Sequence, residues 1–292
     1  MTGLAVLLAL LSACGNAVAS VLQRRGASTE APPASTARFG WLRWLTGLIR
    51  RPVWLWGMAA LVLSAVCQVA ALAVGPLSVV QPVMTTELLF TLAVGSVVFR
   101  RPAGARTWRA FLMMAVGLGL FLGLADPAKG TTVVPGDRWL LLLGPTVVAV
   151  AALVALSVRL PSAPRATALG SATAIGFSFT AALLKDAIGR ADVGLTVLLT
   201  SWQFYTAMAV GLFSFLMLQA TLRAGSLVAS QPALTLGDAL LSMVLGAVLF
   251  DETIALGWRV VPEAAALLLL VTGSIRVARS PLVAGPRAEQ QW

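Results

Sequence analysis

Apolar residues recur along the chain in nine long runs, each bounded by polar or charged residues. The runs lie near positions 3–22, 53–74, 77–98, 109–124, 139–158, 167–187, 197–220, 226–250 and 257–275. An α-helix rises about 1.5 Å per residue, so about 20 apolar residues cross the hydrocarbon core of a bilayer. The pattern predicts an all-α bundle of about nine transmembrane helices that forms one domain.

The polar stretch between the first two runs contains a short segment, Trp41–Ile49, that mixes tryptophan and arginine with apolar residues. This segment is too short to cross a bilayer. One interpretation is a helix that lies in the membrane interface. The other is an irregular loop anchored by its two tryptophans.

Composition supports a membrane protein and excludes several kinds of chemistry. The 292 residues are 59% hydrophobic and only 11% charged, whereas soluble domains carry about 25% charged residues. Histidine is absent, and Cys14 and Cys67 both lie inside predicted spans. Zinc-type sites and histidine acid–base chemistry are therefore excluded, and we expect no cofactor and no enzymatic activity.

The net charge of +10 is distributed in a way that predicts topology. With an outside N-terminus, 16 of the 21 lysine and arginine residues fall in the inward loops and the C-terminal tail. This positive-inside bias predicts a multi-pass cell (inner) membrane protein with a cytoplasmic C-terminus. The first run is expected to be a retained helix rather than a signal peptide, because Arg24 and Arg25 follow it. The expected partners are bilayer lipids and a small solute or cation, and no nucleic acid. The sequence is compatible with both a monomer and an oligomer.

A hydrophobic segment occurs twice, at 75–99 and at 225–250. The matching pairs, with a one-residue slip before the acids, are Gly75 and Gly225, Leu77 and Leu227, Gln81 and Gln231, Pro82 and Pro232, Glu87 and Asp238, Gly95 and Gly246, and Phe99 and Phe250. Residues 12–15 likewise resemble residues 173–176. The chain is thus predicted to contain repeat one at about 1–125, a connector helix at about 139–158, repeat two at about 166–279 and a short tail at 280–292. An offset of five spans makes this an inverted-topology repeat.

Each copy carries one carboxylate, Glu87 or Asp238, near the middle of its span. Insertion scales put the cost of such a residue at about 2.5–3.5 kcal/mol, and intramembrane acids usually serve a function. The functional interpretation is that both acids face a central cavity and bind a metal cation, a proton or a cationic solute. The alternative is that each acid is hydrogen-bonded between helices and only supports packing.

Further polar residues lie close to these acids in the sequence pattern. A hydroxyl follows each acid by four positions and a glycine by eight, which places the three residues on one helix face. Pro82 and Pro232 each remove a backbone hydrogen bond, which predicts a kink or a free carbonyl ligand. The candidate solute- or ion-binding residues are Glu87, Asp238, Thr91, Ser242, Gln81, Gln231 and Gln203, with Glu87 and Asp238 as metal ligands.

Some further charged residues lie at the ends of the spans that are predicted to face outward. Glu263 and Arg259 are spaced for an i, i+4 ion pair, or for an entrance site that attracts cations. Lys185 and Asp186 close the sixth span, where extension of the charged groups to the interface is the ordinary interpretation.

Several motifs resemble the drug/metabolite transporter (EamA-like) superfamily. They are the two glycine-x-leucine to glutamine-proline helices, the segments at 12–24 and 173–185, and the Phe250–Glu252 ending. Nine spans and the Pro76-Leu77 entry are more similar to its NIPA-type magnesium transporter branch. The resemblance implies alternating access around a central cavity and an acidic outer gate at Glu252, which we group with Glu263 and Arg259 as gate candidates. Arg100 and Arg101 stand at the corresponding place in the first half.

The sequence therefore predicts a secondary transporter that works by alternating access. Magnesium, bound by one or two carboxylates and backbone carbonyls, is the first substrate hypothesis. The alternatives are proton-coupled export of small metabolites or organic cations, and a non-transporting membrane scaffold or complex subunit.

Overall fold

A computed structural model describes residues 2–28, 51–98, 104–125, 130–192, 194–224, 227–252 and 260–278. These residues form helices and connecting turns without a β-strand. The helices are α1 Thr2–Ser28, α2 Pro52–Val74, α3 Leu77–Met84, α4 Glu87–Val98, α5 Ala105–Ala125, α6 Gly136–Ser157, α7 Ser162–Gly189, α8 Leu195–Thr200, α9 Trp202–Ala224, α10 Leu227–Phe250 and α11 Val260–Ala278. The Trp41–Ile49 segment lies outside the described residues.

Eight stretches of the described residues are helical, long enough and apolar enough to cross a membrane. They correspond to the first eight predicted spans, so the chain is an all-helical, multi-pass membrane protein. The ninth predicted span corresponds to α11, which is helical but is not among these eight. The count of nine spans therefore stays a prediction, as does the orientation of the termini.

The third predicted span is two helices rather than one. Helix α3 ends at Met84, and α4 begins at Glu87 after a turn at Thr85 and Thr86. The threonine hydroxyls donate to the carbonyls three residues earlier, at 2.6 Å to Pro82 O and 2.7 Å to Val83 O. Because these carbonyls are engaged by side chains and short-range turns, the regular α-helical hydrogen-bond pattern is interrupted there.

Small residues allow the first two helices of each half of the chain to approach closely. In the first half, α1 packs along α2, and a Cβ atom on Gly15 would lie 2.9 Å from Ser64 Cβ. In the second half, α7 packs along α9, and a Cβ atom on Gly176 would lie 2.1 Å from Ser214 Oγ. Close packing of this kind is the usual way in which helices associate in a bilayer, where burial from water contributes little between them.

The same pairs of helices each carry a hydroxyl–hydroxyl contact. The hydroxyl oxygens of Ser12 and Ser64 lie 3.1 Å apart, and those of Thr173 and Thr221 also lie 3.1 Å apart. Ser12 and Thr173 are the positions that the sequence comparison matched. Helix α1 also packs on α3 and α4, and α7 also packs on α10.

The outer surface of the bundle is apolar. On α6, Leu140 is 75% exposed and Leu141 72% exposed, and neighbouring valines are similarly exposed. The interior contains mainly alanine, glycine and hydroxyl residues with some leucine, valine and phenylalanine. This distribution suits a molecule whose surroundings are lipid rather than water.

Candidate functional site

Glu87 is the first residue of α4 and lies beside α1. Its Oε2 atom accepts a hydrogen bond from the Asn16 side-chain amide at 3.2 Å. Asn16 in turn accepts a hydrogen bond from the Ser64 hydroxyl at 2.8 Å. The Ser64 contact orients the amide, so its NH2 group points to the carboxylate. Glu87 is partly exposed, and its hydrogen-bonding partner is a neutral side chain.

Asp238 lies in the middle of α10, which continues as one helix past Pro232. Its Oδ1 atom accepts a hydrogen bond from the Ser178 hydroxyl of α7 at 2.8 Å. The Ser242 hydroxyl, one turn later on α10, lies at 3.5 Å from the same atom. Asp238 is also partly exposed, and its hydrogen-bonding partners in the described part of the chain are all neutral. Each acid is thus held by a side chain of the first helix in its own half.

Asn16 and Ser178 were not among the candidates from the sequence. A signal existed for the first, because Asn16 is the only asparagine of the chain and lies within an apolar span. Ser178 carries no comparable signal, since hydroxyl residues in membrane helices commonly bond to their own backbone. Ser178 does so as well, at 2.9 Å to Ala174 O.

The two acids do not share a hydrogen-bonding partner within the described part of the chain. Nor do the described residues contain a group of three or more cysteine, aspartate or glutamate side chains that could hold a metal ion. The proposed Glu87 and Asp238 metal pair therefore lacks, among these residues, the further acidic ligands of a dedicated cation site.

The predicted grouping of an acid, a hydroxyl and a close-approach glycine on one helix face is observed in the second half and not in the first. Ser242 contacts Asp238 as the spacing predicts, whereas Thr91 makes no hydrogen bond to Glu87. A Cβ atom on Gly246 would lie 2.3 Å from Glu252 Oε2, but a Cβ atom on Gly95 would meet open space. Among the described residues nothing lies within 4 Å of that point, so they do not provide the close approach expected at Gly95, although the residue is buried.

The remaining candidates from the sequence are dispersed. Gln81 is buried in α3, and the side chain of Gln231 lies outside the described residues. Gln203 is buried beside Asp186, so it does not join Glu87 or Asp238. Glu263 is 7% exposed, and its Oε1 atom has no hydrogen-bonding partner in the described residues. Its predicted partner Arg259 lies outside them.

Glu252 is buried, and its carboxylate contacts both a lysine and a helix terminus. Oε1 accepts from the backbone N–H of Leu77 at 2.7 Å, and Oε2 accepts from that of Ser78 at 2.9 Å. The ammonium group of Lys185 forms an ion pair with Oε1. Glu252 thus caps the N-terminus of α3, where the helix dipole favours negative charge.

The expectation that Lys185 and Asp186 extend to the membrane interface is wrong. Lys185 is 6% exposed and Asp186 is fully buried. The reason is that Asp186 faces inward between α6, α7 and α9. It accepts hydrogen bonds from Trp139 Nε1 at 2.8 Å, from Val134 N at 3.1 Å and from Gln203 Nε2 at 3.2 Å.

Arg190, one turn after Asp186, completes this group with an ion pair at 3.3 Å. We call the buried residues Lys185, Asp186 and Glu252, together with the partly exposed Arg190, the buried charge cluster. The isolated sequence could not identify it, because its contacts join residues that are up to 175 positions apart.

Comparison with known proteins places the chain in a family without naming an activity. No family model matches it, and no solved structure matches it. The chain is similar to an uncharacterized protein of Corynebacterium glutamicum, with 31% identity over 284 residues that cover 95% of each protein. Identity at this level over nearly the whole length means that the two chains share an ancestor and a fold. The chain therefore belongs to the same protein family as this Corynebacterium glutamicum protein.

Proposed function

We propose that this protein is a secondary transporter of a small solute that works by alternating access, with Glu87 and Asp238 as its ion- or proton-exchanging groups. One observation carries the proposal. Two carboxylates lie within apolar spans, both are partly exposed, and among the described residues both have only neutral hydrogen-bonding partners. A membrane protein that needed these acids only for packing would gain more from a fully buried and fully bonded group.

The arrangement of the two acids favours a proton over magnesium as the coupling or transported ion. Magnesium prefers near-octahedral coordination by oxygen atoms. Here the described residues contain no group of three or more acidic or cysteine side chains that could surround the ion. A single carboxylate with one or two neutral hydroxyl or amide donors is sufficient to take up and release a proton. The substrate class that this favours is a small metabolite or organic cation, exported in exchange for protons.

The packing of the bundle is consistent with motion between two halves. In each half the first helix packs on the next helix and on the acid-bearing helix, and a hydroxyl pair joins the first two helices. An inverted repeat of this type would place the acids near the repeat interface, where related carriers bind their solutes. The repeat relation itself is part of the proposal.

The test is solute-dependent proton movement in proteoliposomes that contain a pH-sensitive dye. A panel of small organic cations and metabolites is added under an imposed pH gradient, and magnesium is followed in parallel with a magnesium-sensitive dye. The proposal expects at least one solute to accelerate proton movement, and the Glu87→Gln, Asp238→Asn variant to abolish this response. Asp137→Asn is the matched control, because Asp137 is an exposed acid in the first turn of α6.

Each result has a defined meaning. Magnesium flux that depends on the two acids, without proton movement, would replace the proton interpretation by the metal one. If no solute and no ion moves through the folded protein, the scaffold hypothesis becomes the better one.

A further inference from the structure

The contacts of the Glu252 carboxylate describe a binding site for an oxyanion. Two consecutive backbone N–H groups at the start of α3 and the Lys185 ammonium all point to this one group. Helix N-termini with a nearby cation are the common way in which proteins bind carboxylate or phosphate groups. In this chain the ligand is a side chain of the same molecule.

A second observation at this place also indicates a ligand site. Ser78 is 1% exposed, and its hydroxyl oxygen has no hydrogen-bonding partner among the residues that the structure describes, although it lies in the first turn of α3. A buried hydroxyl without a partner is unusual and costs stability. The hydroxyl is thus a further hydrogen-bond donor beside the Glu252 carboxylate, which already accepts from the backbone N–H groups of Leu77 and Ser78.

The chain holds Glu252 in place by a specific backbone conformation. Asp251 has a positive φ of 53°, and the backbone N–H of Glu252 donates to Gly246 O at 3.1 Å. The preceding carbonyl of Phe250 accepts from the backbone N–H of Thr131 at 2.6 Å. This geometry turns the chain back after α10 and directs the Glu252 side chain to α3. Residues other than glycine, asparagine and aspartate adopt such a φ only at a cost.

The site joins the two halves of the protein. Leu77 and Ser78 belong to the first half, whereas Lys185 and Glu252 belong to the second. The contact lies at the end of the bundle that is predicted to face outward, where α10 packs on α3. Any movement that separates α3 from the end of α10 must first take the carboxylate out of this site.

We propose that Lys185 and the first turn of α3 form a carboxylate-binding site with Glu252 as its built-in ligand, and that release of Glu252 opens the predicted outer end of the transporter. We call this site the carboxylate cradle. The opening step rests on the proposed function, whereas the binding site does not. In the conformation described here the cradle is filled, so the outer end is held shut.

The first test is chemical rescue with acetate, which supplies the carboxylate that a Glu252→Ala variant lacks. The thermal unfolding midpoint of the purified protein is measured in detergent with sodium acetate, and with acetamide plus sodium chloride at the same ionic strength. We expect the variant to unfold several degrees below the parent, and acetate to recover at least half of this difference, which acetamide does not. The parent should not respond to acetate, because its cradle is filled.

A double variant identifies the cradle as the place where acetate acts. Adding Lys185→Met to Glu252→Ala should remove the acetate response, since the cationic partner is gone. If acetate stabilises the variant no more than acetamide does, the binding site is disproved. If Glu252→Ala does not fold, Glu252→Gly in the presence of acetate during purification provides the same comparison through the yield of folded protein.

The second test measures opening without measuring transport. Ser78→Cys is introduced after Cys14→Ala and Cys67→Ala, and the protein in lipid nanodiscs is treated with a charged maleimide. With Glu252 in place the cysteine should react slowly, because position 78 is buried. Adding Glu252→Gln should raise the rate about tenfold or more, whereas the control Asp137→Asn, at an exposed acid in the first turn of α6, should leave it unchanged.

An equal rate with and without Glu252→Gln would disprove the opening step. Because neither test uses a transported solute, failure of the transport assay would not affect them. Conversely, a protein that transports its solute but shows no rescue by acetate would keep the proposed function and lose the cradle.

Discussion

The mid-span acids and the buried charge cluster contain the same chemical group in two different settings. Glu87 and Asp238 are partly exposed and are held by one or two neutral side chains. Asp186 and Glu252 are buried, and each accepts from at least three donors, one of them cationic. A carboxylate with all its partners in place resists change of its charge, whereas one with few partners is free to exchange a proton or an ion. The comparison indicates a structural role for the cluster, and it is the reason why we propose the mid-span acids as the exchanging groups.

The largest expected effect is at Asp186. Asp186→Ala leaves the Trp139 indole N–H and the Val134 N–H without their acceptor and the Arg190 guanidinium without its carboxylate partner. Removal of one member of a buried ion pair destabilises by about 3–5 kcal/mol. We expect a loss of this size in the free energy of unfolding, measured by titration with denaturing detergent. Asp137→Ala, at an exposed acid in the first turn of α6, is the control and should change it little.

A loss below about 1 kcal/mol at Asp186 would contradict the structural role of the cluster.

The second prediction concerns Glu87→Gln and Asp238→Asn as single variants. Each replacement keeps the shape and most hydrogen bonds, so the unfolding free energy should change by no more than about 1.5 kcal/mol. Solute-driven proton movement in proteoliposomes should nevertheless fall by about tenfold or more, because a side-chain amide does not take up and release a proton near neutral pH. Full transport by either variant would place the exchanging group elsewhere.

The third prediction compares two glycines that occupy the same place in the two repeat segments. Gly246→Ala forces a methyl group against the Glu252 carboxylate and should destabilise by about 1–3 kcal/mol. Gly95→Ala meets open space within a helix and should stabilise by up to about 1 kcal/mol. Unfolding titrations of both variants check the signs. Equal effects would show that the end of α10 is packed no more tightly than α4.

The smallest expected effects come from removing one donor from each kind of acid. Gln203→Leu removes a bond of 3.2 Å from Asp186 and should cost about 0.5–1.5 kcal/mol. Ser242→Ala removes a contact of 3.5 Å from Asp238, at the limit of a hydrogen bond, and should cost less. The same unfolding titration compares them. A larger loss for Ser242→Ala would mean that Asp238 depends on its partners as strongly as Asp186 does.

Much of the fold could be predicted because the bilayer imposes a simple rule on the sequence. Apolar runs of sufficient length become helices, and eight of the nine predicted spans correspond to helical stretches that could cross a membrane. The break at Thr85 and Thr86 was not predicted. Proline at 82 occurs at the equivalent place at 232, yet only the first segment is interrupted. Two adjacent threonines follow the first proline and not the second, and their hydroxyl bonds make the difference.

The candidate site could be predicted only in part, because burial and partners depend on distant residues. An acid inside an apolar span is visible in the sequence, so Glu87 and Asp238 were candidates from the start. Their partners Asn16 and Ser178 come from helices 60 or more positions away. Lys185 was expected at the surface of the membrane, and only the packing of α7 against α10 and α3 shows that it faces Glu252.

By itself the sequence determined that the chain is helical and spans a membrane, and which charged residues lie within apolar spans, because hydropathy and helix geometry are local properties. The tertiary structure decided which of these charges are paired and which stay sparsely bonded. Ion pairs here join residues as far as 113 positions apart, and no local pattern of apolar and polar positions encodes such contacts. For that reason Glu252 and Lys185 are seen to be a bonded pair only in the folded chain, while Glu87 and Asp238 are seen to be sparsely bonded.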